Sequence, residues 1–157
     1  MSIGSLSELH TQIGKGQRLL GLDLGEKTIG LALSDTLLTV ATPYETLKRG
    51  KFSIDAEKLE KIAAKEGVGG LVIGLPLNMD GSAGPSVQSA RAFARNFAAR
   101  SALPIVLWDE RLSTAAVQRD MIAADATRKR RSASVDKIAA AYILQGVLEA
   151  LRNLPRA

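Results

Sequence analysis

Three carboxylates stand where packing alone would not put them. Asp23 interrupts the apolar run in LLGLDLGEKTIGLALSD (residues 19–35), Glu110 follows LPIVLW, and Asp136 opens the last amphipathic stretch, VDKIAAAYILQGVLEALRN. An ionised carboxylate taken out of water is costly unless a counter-charge, a proton or a metal ion meets it. Hard divalent cations such as Mg²⁺ or Mn²⁺ are the natural partners of oxygen ligands. A cluster of three acids suits metal-assisted phosphoryl chemistry, in which two ions about 4 Å apart activate water and steady the leaving oxygen. Taken singly, each acid also has an ordinary explanation. Strand alternation could turn Asp23 to solvent, Glu110 could pair with Arg111 at the surface, and Asp136 could complement a helix dipole.

What else the chain offers narrows the chemistry. There is no cysteine, which excludes disulfides, thiolate nucleophiles and Cys-ligated metals, and the sole histidine, His10, lies in the polar leading segment. A Ser-His-Asp triad and a multi-histidine metal site are thereby disfavoured, leaving carboxylates, Lys/Arg, hydroxyls and backbone groups. The leading segment lacks a basic start followed by an apolar core and cleavage site. The longest uncharged run, Gly67–Met79, is too short and too rich in Gly and Pro to span a bilayer. The chain therefore reads as soluble and cytoplasmic, with no membrane partner. A net charge of +5 favours a polyanionic partner, nucleic acid first among them.

The elements that must position the acids follow from periodicity. At 157 residues and 46% hydrophobic content, one domain is expected over 18–152, with a flexible N-terminal arm over 1–17 and a C-terminal tail over 153–157. Residues 19–24 and 28–34 read as antiparallel strands joined by a tight turn at GEK, and LTVATPYETLKR extends the meander. After Ser53 a helix runs to Gly67, and GGLVIGLP is a short buried strand of the parallel type. A loop, LNMDGSAGPS, leads to a helix over VQSARAFARNFAARS, with Val87, Phe93 and Phe97 available to a core. LPIVLW is another buried strand, Ser113 or Thr114 can cap a helix over AAVQRDMIAADA, and the long final helix closes the chain. The fold class is α/β: a five-stranded mixed sheet, three antiparallel strands then parallel ones, flanked by helices. In that topology Asp23, Glu110 and Asp136 can converge, with Asp136, Ala139, Ala140 and Ile143 sharing one helical face.

The stretches GLDLGEKTIGLALSD, VIGLPLNMDGS, DERLST and VDKIAAAYIL together resemble the YqgF (RuvX) family of RNase H-like nucleases, over essentially residues 18–151. The resemblance implies an RNase H-like fold with Asp23, Glu110 and Asp136 as its metal-binding acids. It also implies processing of the 5′ end of pre-16S ribosomal RNA in ribosome biogenesis or, by likeness to RuvC-type resolvases, cutting of Holliday junctions in DNA recombination and repair. The partner would be structured precursor rRNA or branched DNA, and the chain a monomer or, for symmetric two-strand cutting, a homodimer. RuvC-like resolvases usually carry a further acid one turn along the last helix, where this sequence has Ala139.

Around the acids, Lys27 and Arg111 could reach phosphates, and Asn78, Gly81 and Ser82 could present amides and hydroxyls to a nucleic-acid backbone. The run Arg128, Lys129, Arg130 and Arg131, expected to join two helices, would add salt-dependent phosphate affinity. Two rival readings stand beside the nuclease. An ATP-binding module shares the D-x-G hairpin but needs two such domains around a cleft. A non-catalytic nucleic-acid-binding ribosome assembly factor would keep the fold without cutting.

Overall fold

The computed structural model describes residues 3–77, 80–110 and 128–154, the last segment by backbone alone over 128–136. Its strands are β1 (Ile3–Gly4), β2 (Arg18–Leu24), β3 (Thr28–Ser34), β4 (Ala41–Lys48), β5 (Val68–Leu75) and β6 (Ile105–Asp109). Its helices are α1 (Leu6–Gln12), α2 (Phe52–Glu66), α3 (Pro85–Arg100) and α4 (Arg128–Arg152). The sheet order is β1-β6-β5-β2-β3-β4. β2, β3 and β4 pair antiparallel, and β5, β6 and β1 continue from β2 in parallel.

Alternation along the strands feeds a core on each face. Leu20, Leu22, Ile29, Leu31 and Ile73 point to one side, where α2 and α3 supply Leu59, Ala63, Val87, Phe93 and Phe97. Leu19, Ala32, Val72 and Val106 point to the other, where α1 and α4 supply Leu9, Ala140, Ile143, Leu144, Val147 and Leu148. Gly21 lies on this second face. A Cβ there would stand 2.9 Å from Leu144 Cβ and 3.2 Å from the Ala140 carbonyl oxygen, so its bare backbone is what lets α4 lie down on β2.

Three expectations change. The segment over 1–17 is not a loose arm in its described part, since β1 adds a sixth strand beside β6 and α1 buries Leu9 to 1% exposure. Ser5 and Glu8 close a capping box at its start, each side chain accepting the other's backbone N–H. The second helix starts at Phe52, and Ser53 is not its cap. Instead the buried Asp55 carboxylate accepts the Gly50 N–H at 3.1 and 3.2 Å. Arg128–Arg131, expected to connect two helices, form the first turn of α4, because the helical pattern of the last stretch extends back through them. The helix expected over AAVQRDMIAADA lies outside the described residues.

Asp35 pins the turn between β3 and β4. Its carboxylate accepts the Thr39 N–H (2.7 Å), the Thr39 hydroxyl and the Val40 N–H (3.0 Å). From there Gln145 of α4 binds both sides of the turn, accepting the Ala41 N–H at 2.9 Å and donating to the Thr39 carbonyl at 3.2 Å. Those bonds to the ionised form, the Thr39 side chain first, hold the Asp35 carboxyl down at about 2 from its usual 3.8. A depressed carboxylate contributes stability above its unfolded pKa and loses it as pH falls through the folded one. Asp35→Asn should therefore cost about 1 kcal/mol at neutral pH, a figure discounted for solvent screening. The gap between the two proteins in urea unfolding should persist to about pH 4 and close by about pH 2.

Candidate active site

Asp23 occupies the α4 face of β2 near its C-terminal end and is only 8% exposed. Its antiparallel neighbour on β3 is Gly30. On the other side Leu22 pairs with Ile73, so the next step of the ladder brings Asp23 beside Gly74. The carboxylate is thus flanked by two residues without side chains, in a sheet otherwise lined with Leu, Val and Ile.

Glu110 enters from the neighbouring strand. β6 pairs Trp108 with Gly74, and Glu110, two residues on, is 2% exposed with both carboxylate oxygens shut off from solvent. Its Oε2 would lie 3.1 Å from a Cβ on Gly74, and Ile143 Cδ1 of α4 would lie 2.6 Å from the same atom. Gly74 therefore sits where the Glu110 carboxylate and α4 meet. Two buried acids from different strands consequently share one sheet face beneath one helix, which strand alternation left open for Asp23 and a surface ion pair would have denied Glu110. The indole N–H of Trp108, the only tryptophan of the chain, is buried beside them and meets no acceptor among the described residues.

The remaining sequence-named residues fall into two sets. Asp136 belongs to α4, one turn before Ala140, whose carbonyl rests against Gly21; its side chain lies outside the described residues. Ala139, where RuvC-like resolvases carry a further acid, is fully buried and offers no ligand oxygen. Lys27 is exposed in the β2–β3 turn, with its carbonyl accepting the Arg49 N–H at 2.8 Å. Gly81 takes a left-handed φ of 86°, and Ser82 donates its N–H to Asp80 at 2.9 Å, so this loop turns on an Asx bond in solvent. Asn78 and Arg111 lie outside the described residues, as do the side chains of Arg128–Arg131. Among the described residues no three acids or histidines form a metal-holding group. Sequence reading did not single out Arg49, Ser86 and Ser89, which meet at the hairpin end of β2, because the bonds joining them cross long stretches of chain.

A mixed sheet of this order with helices on both faces is the fold of RuvC-type, RNase H-like resolvases. T. thermophilus RuvC, solved in complex with a Holliday junction substrate, superposes with a TM-score of 0.55 over 87% of this chain and 96% of that one. At 13% identity the likeness is one of fold. Within that class the RuvX profile, described as Holliday junction resolvase, matches residues 17–150, and the chain belongs to this family. A relative from Paramagnetospirillum magneticum is 58% identical over 95% of this chain and 96% of its own length. Others come from Gluconacetobacter diazotrophicus (54% identical; 96% and 98% covered) and Rhizobium etli (51%; 99% and 95%). All three bear the name "Putative pre-16S rRNA nuclease".

Proposed function

We propose that the chain is an endonuclease that hydrolyses phosphodiester bonds of nucleic acid with the help of Mg²⁺ or Mn²⁺ held by Asp23, Glu110 and Asp136, and that precursor 16S rRNA is its substrate. The observation that carries this reading is the pair of buried acids, Asp23 and Glu110, brought to one sheet face with Gly30 and Gly74 as their neighbours on the adjoining strands. The donor set fits a hard cation, because all three side chains are carboxylates and the chain has no cysteine to compete with them. When bound, such an ion would polarise the phosphoryl group and lower the pKa of water. The chain's own contribution is orientation. β2 holds Asp23 within the packed sheet and the end of β6 sets Glu110 one residue beyond it, while the cover of α4 excludes bulk water and strengthens every charge interaction beneath it. Asp136, on the helical face that carries Ala140 and Ile143, would complete the set. With alanine at 139, this site has one acid fewer than RuvC-like resolvases carry on that helix.

The names of the relatives favour RNA, and the family description favours a DNA junction. Both substrates belong in one assay with purified protein and either metal ion. Cleavage of structured precursor RNA that disappears with EDTA supports the proposal. Preferential cutting of the four-way junction would transfer the assignment to DNA, and cutting of neither would refute it. Trp108 supplies a readout independent of turnover, since paramagnetic Mn²⁺ bound beside Glu110 should quench its fluorescence saturably.

A further inference from the structure

A cleft of about 500 Å³ opens at the hairpin end of β2, and Gly25, Glu26, Arg49, Ser86 and Ser89 are among its walls. Arg49 is half-buried and held at both ends of its fork. Nη1 donates to the Gly25 carbonyl at 2.8 Å, Nη2 donates to the Ser89 hydroxyl at 3.0 Å, and the guanidinium lies 6.0 Å from the centre of the Phe93 ring. A guanidinium carries five N–H donors, so these two bonds leave three unspent. Among the described residues no carboxylate forms an ion pair with it, and Glu26, the acid on the cleft wall, is exposed. A partly desolvated cation with its fork fixed and donors to spare is matched by the oxygens of a phosphate. The exposed Ser86 hydroxyl stands on the same wall. Among the described residues of the cleft wall none is aromatic, so the chemistry they offer suits a phosphate of the backbone rather than a base. Gly25 lies two residues beyond Asp23, at most about 7 Å along the chain.

We propose that this cleft is a phosphate subsite, in which Arg49 and Ser86 receive a backbone phosphate of the nucleic acid near the one hydrolysed at Asp23. The proposal rests on the nuclease reading, but its test does not require cleavage. Binding of a fluorescein-labelled single-stranded RNA and of a four-way DNA junction is followed by anisotropy in EDTA across a NaCl series. Arg49→Gln removes the charge and leaves a shorter polar side chain, so its Tm is measured beside its affinity. It should weaken binding roughly tenfold and lower the slope of log K against log[salt] by about one. Ser86→Asp places a carboxylate in the first turn of α3, where it favours the helix, and should weaken binding without lowering Tm.

If both cleft variants bind with wild-type affinity and salt slope, the subsite is refuted. It is equally refuted if Arg49→Gln binds less well only because it melts lower while Ser86→Asp binds normally, for then Arg49 is a brace. A wild-type protein that binds in this manner yet cuts neither substrate would overturn the nuclease reading and leave the subsite standing.

Discussion

Asp23→Asn should lose at least roughly a thousandfold of phosphodiester hydrolysis while keeping the fold, because it removes a charge from the centre of the proposed site without changing its volume. The side chain is almost enclosed between Gly30 and Gly74, so an isosteric amide adds no bulk to clash. The diagnostic is the coupling of stability to metal. A ligand that binds only the folded protein raises stability by about 2.7 kcal/mol at one hundred times its dissociation constant. Wild-type Tm should therefore climb with Mg²⁺ or Mn²⁺, and the Asn variant should show little of that climb and little quenching of Trp108. A variant that still cuts at the wild-type rate, or that still gains the full metal-dependent Tm shift, removes Asp23 from the centre of the site.

The second large effect is structural. Gly21→Ala places a methyl group 2.9 Å from Leu144 Cβ and 3.2 Å from the Ala140 carbonyl oxygen, and neither atom is the free end of a side chain. α4 has to lift. Overpacking of this kind costs about 2 kcal/mol, which for a chain of this size lowers Tm by roughly 4–8 °C. Because α4 also carries Asp136, the same change should raise the metal concentration needed to quench Trp108. An alanine variant with unchanged Tm would mean that β2 and α4 are less tightly coupled than their separation implies.

The layout of the five main strands was readable because turn residues and apolar runs agree locally. The GEK turn closes with Gly25 donating its N–H to Thr28, and Gly67 ends α2 at a φ of 68°. What the sequence did not disclose depends on distant partners. Ser5 and Glu8 form a legible cap, but seven residues make a marginal helix in isolation. Only contact with β6 and α4 fixes that segment. Periodicity likewise could not choose between solvent and core for Asp23. That choice was made by the α4 face of the sheet, where Leu19 packs on the same side as Gly21 and Asp23. Arg49 looked like one of many lysines and arginines, because Gly25 and Ser89 reach it only after two separate crossings of the chain.

The place of β1 bears on how the molecule comes into being. The partners of Ile3 and Gly4 are Ile105 and Val106, so about a hundred further residues must be synthesised before this pair of strands can form. Asp23 likewise precedes Glu110 by 87 residues and Asp136 by 113. The strand that carries Glu110 gains its outer neighbour, and the acids their covering helix, only in the closing steps of folding. On the proposed reading a nascent chain is thus unarmed by construction, since its acids come together only with the finished sheet.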